Sequence, residues 1–298
     1  MDKFAALNAF VNVVEHGSFA AAARALGTSR AQINRQVINL EDALGVELLH
    51  RTTRSVTLTP MGESYYKRCS ALLRELRDAD HEVQQEQAEP QGEIRINAPQ
   101  SFGVRRLAPA LVEFLRLYPK ISIQLALSDQ FVDPLSEGID VTLRISARKE
   151  HPSLIAHEII EARRVLCAAP AFLGQHGTPR HPMELAGFSC LHYGNLPTGN
   201  AWRLEKDGES VDVRVNGLFC ANNADVLCEA AIAGMGIALL PLFIAHDALR
   251  AGDLVTVLDD YHAPRIYLSL VYAPSRNMST KIRLFVKFMQ QWFTLSDF

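Results

Sequence analysis

The chain of 298 residues contains no apolar run near the roughly 20 residues that a membrane-spanning helix requires. One of its longest, Gly236 to Ala245, falls far short, so no membrane association is expected. Met1 to Phe10 shows no basic stretch leading into an apolar one, which argues against a secretory signal. Cys-x-x-Cys pairs are absent as well. The five cysteines, Cys69, Cys167, Cys190, Cys220 and Cys228, are scattered and odd in number, as expected of reduced, mostly buried thiols in a cytoplasm.

A surplus of charge is missing too. The formal net charge is -3 and Met1 to Gln87 is close to balance, so any case for a polyanionic partner rests on where the arginines sit. Enzyme signatures are equally scarce. There is no Gly-x-x-x-x-Gly-Lys-Ser/Thr phosphate loop, and Gly187-Phe188-Ser189-Cys190-Leu191 fails the nucleophile elbow at its last position. Gly234-x-Gly236 has Leu239 where a dinucleotide loop needs its third glycine, and it precedes an apolar strand pattern rather than a helix. The ten histidines are dispersed, and His181-Pro182-Met183-Glu184 lacks partners for a metal. Asn277-Met278-Ser279 matches a glycosylation acceptor, which signifies only in a secreted chain. No enzyme, cofactor or metal is expected.

What the chain does have is a globular composition, 48% hydrophobic and 21% charged, at a length that calls for more than one domain. Three short helices open it. Phe4, Leu7, Phe10, Val11 and Val14 recur with helical spacing until His16-Gly17. Ser18 is an N-cap for a second helix with Phe19, Ala22, Ala23 and Leu26 inward. After a Gly27-Thr28 turn, Ser29 caps a third, whose apolar face is Ile33, Val37, Leu40 and Leu44. Helix, glycine-containing turn and helix is the helix-turn-helix pattern. The other side of helix three carries Arg30, Gln32, Asn34, Arg35 and Asn39, donors and amides that can pair with base edges in a major groove. On spacing alone a solvated helix face is an equal reading.

Leu48 to Thr59 reads as a hairpin wing with Arg51 and Arg54 near its tip beside Thr52 and other hydroxyls, chemistry suited to phosphates. Pro60-Met61-Gly62 ends the wing. From Gly62 one long helix follows, with Tyr65, Cys69, Leu72, Leu76, Ala79 and Val83 alternating four and three apart as a heptad seam. That seam predicts a dimer presenting two reading heads to a two-fold DNA site.

Phe19-Ala20-Ala21-Ala22-Ala23-Arg24-Ala25-Leu26-Gly27-Thr28-Ser29, Ile33-Asn34-Arg35-Gln36-Val37, Leu40-Glu41-Asp42-Ala43-Leu44-Gly45 and the wing Arg51 to Gly62 together resemble the LysR-type transcriptional regulators. Asn34 stands where the family usually has Ser or Thr, Arg30 where Gln or Pro is common, and Leu49 where Phe is frequent. The first two lie on the reading face and imply a different preferred base sequence. The resemblance implies an α/β fold with an N-terminal winged helix-turn-helix, a long linker helix, and a two-lobed periplasmic-binding-protein-like α/β effector domain. The expected domains are residues 1–61, 62–91 and 92–298.

The residues of the last part read the same way. Gln84 to Gly92 is a hinge. Strands are expected at Glu93 to Ala98, Ile121 to Leu127, Ile139 to Ile145, Arg164 to Ala169, Ile237 to Leu240 and Ile266 to Tyr272. Helices are expected around Leu107 to Leu115, Ala171 to Gln175, Met183 to Ala186, Ala224 to Gly234 and after Ser279. The interleaving argues for largely parallel sheets in two lobes around a cleft. Arg144, Pro170, Trp202, Asn222-Asn223 and Gly234 to Pro241 look like one large subgroup of the family. The family's effector site lies near the loop after the domain's first strand, here Pro99-Gln100-Ser101-Phe102, where a helix N-terminus and a hydroxyl suit an anion such as a carboxylate. Ser128, Trp202, Asn222 and Asn223 are the other candidate lining residues, with ordinary capping or core roles as the alternative for each.

The mechanism so implied is a homodimer, pairing again to a tetramer as in the family, that puts two copies of helix three on double-stranded DNA. Arg30, Gln32, Asn34 and Arg35 read bases, Ser29, Arg51, Thr52 and Arg54 hold phosphates, and a small-molecule effector shifts the assembly. Two other readings stay open. One is a thiol-based redox sensor using Cys220 and Cys228, although Cys228 falls in an apolar helix. The other is a ligand-binding protein that holds a helix-turn-helix merely as packing.

Overall fold

The computed structural model describes residues 2–51, 56–84, 90–130, 138–147, 153–194, 200–274 and 279–295. The chain divides into two compact units, the first built on Met1–Ala88 and the second on Glu89–Val132 and Asp140–Phe298.

In the first unit, α1 (Lys3–His16) is capped by Asp2, whose carboxylate accepts from the amides of Phe4 and Ala5, and stops at Gly17 with a left-handed φ of 66°. The Ser18 hydroxyl accepts from Ala21 N–H to start α2 (Phe19–Ala25), and the Ser29 hydroxyl accepts from Gln32 N–H to start α3 (Arg30–Leu44). Ile33, Val37 and Leu40 are fully buried, as their spacing predicts, while Leu44 is exposed at the helix end. The buried face of α1 differs from expectation. It is Ala6, Ala9, Phe10 and Val13 with Val11, and Phe4 is half exposed. Of the expected face, Phe10 and Val11 are buried and Leu7 and Val14 pack half-buried against the same core.

The wing consists of β1 (Leu49–Arg51) and β2 (Val56–Leu58), antiparallel with Leu49 opposite Leu58. Thr52 and Arg54 lie outside the described residues. The Glu41 carboxylate, near the end of α3, accepts from both Leu48 N–H (2.9 Å) and Leu49 N–H (3.1 Å), which ties the wing to the third helix.

Helix α4 (Pro60–Gln84) begins two residues before the expected start. The Thr59 hydroxyl accepts from Gly62 N–H at 2.9 Å and donates to the Glu47 carbonyl at 2.8 Å, and Pro60 at the first helical position has no N–H to satisfy. The expected seam splits along its length. Cys69 is buried in the helix-turn-helix core together with Leu73, and Tyr65 and Tyr66 pack on Phe10 with ring centroids 6.0 and 6.5 Å away. Leu72 (60% exposed) and Leu76 face outward. The side chains of Ala79 and Val83 lie outside the described residues, as do most of the expected hinge residues.

The second unit holds two five-stranded sheets. β3 (Gly92–Ala98) leads into a continuous helix in which α5 (Gln100–Phe102) passes through a π turn at Gly103–Leu107 into α6 (Ala108–Leu117). Then come β4 (Ile121–Leu127), β5 (Val141–Ser146) and β6 (Ile155–Glu161). The second lobe follows: β7 (Arg164–Ala168), α7 (Pro170–His176), a 3-10 turn at Pro182–Gly187, β8 (Cys190–Tyr193), β9 (Ala201–Lys206), β10 (Glu209–Arg214), β11 (Cys220–Ala221), α8 (Ala224–Ile232), β12 (Ile237–Pro241), α9 (Leu242–Ala251) and β13 (Val255–Thr256). β14 (Tyr267–Tyr272) and α10 (Thr280–Leu295) return to the first lobe.

The sheet orders are β4-β3-β5-β14-β6 and β11-β8-β12-β7-β13. Both are mixed rather than largely parallel. β3 runs parallel to β4 and β5, but β14 comes back from the other lobe and lies antiparallel to β5 and β6. In the second sheet β8 is parallel to β11 and β12, and β7 is antiparallel to β12 and β13. One apolar core unites the lobes around Phe102, which meets Phe243 edge-on at 6.1 Å.

Two measurements test this packing. A Cβ on Gly62 would collide with the Leu48 carbonyl, so Gly62→Ala should cost about 1–3 kcal/mol, read as a lower denaturant midpoint. Burial pushes the thiols of Cys167 and Cys190 up to about 12 and that of Cys228 up to about 11, and raises Cys69, which leaves negligible thiolate at pH 8. An aromatic disulfide reagent at pH 8 should therefore titrate the exposed Cys220 quickly and the other four only after unfolding. Fast reaction in a Cys220→Ser variant would contradict the burial.

Candidate functional site

In the first unit the outer side of α3 is built by what its inner side buries. With Ile33, Val37 and Leu40 inward, Ser29, Arg30, Gln32 and Arg35 are exposed and Asn34 is half-buried. Ser29 spends its hydroxyl oxygen on the helix cap, and Gln32 Oε1 accepts from Thr28 Oγ1 at 2.8 Å, which aims the Gln32 amide group as a donor. Arg51 is paired through its backbone with Val56. From Arg30 to Leu40 the helix carries no carboxylate. Ala31 and Ile38 are exposed on the same outer side and were absent from the sequence-based set, because an apolar residue there carries no donor to draw notice.

The second unit contains a cavity of about 620 Å³ between its lobes, at the carboxyl ends of β3 and β4 and beside β5, β8 and β12. Of the eight residues the sequence suggested, Pro99, Ser101, Phe102, Ser128 and Trp202 line it, and Gln100, Asn222 and Asn223 do not. Asp129 engages two of these three. Its Oδ1 accepts from Gln100 N–H at 3.0 Å and its Oδ2 from Asn223 Nδ2 at 3.1 Å. Asn223 in turn caps α8 by accepting from Asp225 and Val226 N–H, and Asn222 points to solvent. A carboxylate of the protein thus occupies the first helix amide and joins the two lobes. Arg105 adds a second link, with Nε 2.7 Å from Asp225 Oδ1 and Nη1 3.6 Å from Asp247 Oδ2.

Sequence reasoning missed most of the polar lining: Asn97, Asp129, Ser146, Arg164 and Tyr193, as well as Arg144, noted only as a subgroup feature. These come from strands far apart in the chain, and no local spacing joins them. Arg164 Nη2 donates to the Pro264 carbonyl at 2.7 Å, while its buried Nε has no hydrogen-bond partner and, among the described residues, no carboxylate pairs with it. Burial lowers its pKa from the ordinary guanidinium value. Ser101 Oγ is also buried without a partner. Burial, followed by the nearby Asp129 and Asp225, pushes the Tyr193 phenol up to about 12, so it remains a hydrogen-bond donor at neutral pH. Phe102, Leu143, Leu191, Trp202, Leu239 and Phe243 supply apolar wall. Such a cavity can take a small molecule with an apolar body and an anionic group. Among the described residues no helix is long and apolar enough to cross a membrane, and no cluster of three metal-ligating side chains is present.

Known proteins agree with both units. Residues 4–63 match the lysR family of bacterial regulatory helix-turn-helix proteins, and residues 87–294 match the LysR substrate binding domain. The chain is 33% identical over 285 residues to the probable HTH-type transcriptional regulator LtrA of Klebsiella pneumoniae, covering 95% of this chain and 92% of that protein. It is 34% identical over 289 residues to the HTH-type transcriptional regulator DmlR of Escherichia coli, covering 96% and 93%. Among solved structures it resembles the full-length Vibrio cholerae virulence activator AphB, with a TM-score of 0.61, 34% identity, and 95% and 97% of the two chains covered. The agreement runs over nearly the whole length in both directions, and the chain belongs to the LysR-type family of DNA-binding transcriptional regulators with a small-molecule effector domain.

Proposed function

We propose that α3 lies in a major groove with Arg35, Asn34, Arg30 and Gln32 at base edges, while Ser29, Arg51, Thr52 and Arg54 hold phosphates. The observation that carries this reading is the acid-free outer face of α3 beside a wing fixed to it by Glu41. The protein works in the cytoplasm as a homodimer, with pairing to a tetramer, so that two such faces meet a two-fold site. Residues 1–61 read DNA, residues 62–91 join protomers, and residues 92–298 sense the effector. Exposed Leu72 and Leu76 on α4 support that middle role.

The effector is a small carboxylate. Asp129 already fills the Gln100 amide, so the attracting groups are Arg144 and Arg164, with Ser101, Ser128 and the Tyr193 phenol as donors and Phe102 and Trp202 against the apolar body. It acts by binding one arrangement of the lobes more tightly than another, with the Asp129–Asn223 and Arg105–Asp225 links as the contacts to be remade.

Binding to the DNA upstream of its own gene should weaken steeply with salt. Arg35→Ala should cost roughly 1–3 kcal/mol and relax one base position, whereas Arg51→Ala should weaken all sequences alike and shallow the salt slope by about one unit. Equal affinity for that DNA and random DNA at every salt concentration, in that probe and in selected sequences, would refute the reading head. For the cavity, a thermal-shift screen of aliphatic and aromatic carboxylates should give a hit whose affinity falls roughly tenfold or more in Ser101→Ala. A hit that binds the variant and the parent equally would remove Ser101 from the site.

A further inference from the structure

Donors and amides do not account for the centre of the outer face of α3. Residues three and four apart on a helix share a side, and Ala31, Arg35 and Ile38 form such a row, opposite the buried Ile33, Val37 and Leu40. All three are exposed, Ile38 by 38%. Ile38 is outside the buried cluster of this unit, and a β-branched residue is a weaker helix former than the straight-chain residues. The nearest acid toward the C-terminal side, Glu41, has its carboxylate turned onto the wing amides. Ala31 projects only a methyl group, so the helix can approach a surface closely at that point.

We infer that Ala31 and Ile38 read the C5 methyl groups of two thymines, one on each side of the base met by Arg35. This deepens the proposed docking of α3 in the major groove and rests on it. Thymine is the base that presents an apolar group on its major-groove edge. Ile38 against that methyl group buries two apolar surfaces, whereas against cytosine or adenine it would leave an exocyclic amino donor without water or acceptor. Ala31 and Ile38 lie roughly 10 Å apart along the helix axis, a distance of about three base-pair steps. The spacing leaves room for one Arg35 contact between the two methyl groups.

The test uses the full-length protein and a DNA duplex enriched from a randomised pool. Each thymine of one half-site is replaced in turn by deoxyuridine, which removes the C5 methyl group and nothing else, and affinity is read by fluorescence anisotropy at fixed salt. Two positions should each lose about threefold to fivefold, the effect of withdrawing one methyl group from apolar contact. Ile38→Ala should abolish the thymine-to-uracil difference at one position and Ile38→Val should retain most of it. Ala31→Ser should reduce the difference at the other. Enrichment of a specific duplex whose thymines all tolerate uracil overturns this inference and leaves the docking of α3 standing. An unchanged uracil penalty in Ile38→Ala overturns the assignment of that residue. Failure to enrich any sequence overturns the docking and this inference with it.

Discussion

A backbone amide at the end of a helix or strand must find an acceptor, and two carboxylates meet that demand, one beside α3 and one beside the cavity. Glu41 takes the amides of Leu48 and Leu49, and Asp129 takes the amide of Gln100 and the side chain of Asn223. Each set of bonds fixes geometry: the wing against α3 in one unit, one lobe against the other in the second. Hydrogen bonding leaves each carboxylate charged, but it directs the bonded oxygens at fixed donors of the protein.

The helix-turn-helix was legible in the sequence because its determinants are local. Ser18 and Ser29 cap where their position says they should, and Ile33, Val37 and Leu40 show one face within two turns. Non-local features were not. Phe4 looks like core by type, yet it is half exposed while Ala6 and Ala9 are buried. A heptad seam in α4 names a face but not its partner, so Tyr65 and Cys69 turn out to serve the helix-turn-helix core while Leu72 and Leu76 remain outside. The antiparallel β14 depends on a return from a distant lobe that no window of sequence contains. One miss was avoidable. Asp207-Gly208, both with positive φ, join β9 and β10, and that dipeptide between alternating Trp202, Leu204, Val211 and Val213 is a strong hairpin signal.

The cavity was legible only in part for a related reason. The loop after β3 is contiguous, so Pro99, Ser101 and Phe102 could be named together. Arg144, Arg164 and Tyr193 come from three strands in two lobes. Their convergence is a property of the fold, as is the unpaired Nε of Arg164. Asn222 and Asn223 were drawn in by resemblance, and Asn223 caps α8 and donates to Asp129.

The seating of α4 has a mechanical meaning. Its first turns are packed into the helix-turn-helix core through Thr59, Gly62, Tyr65, Cys69 and Leu73, the same apolar cluster that holds the inner face of α3. A helix of 25 residues is about 37 Å long. By the same rise per residue, an angle of about 5° at the base of such a helix corresponds to about 3 Å at its tip, so small angles at the helix-turn-helix core translate into ångström-scale distances along α4.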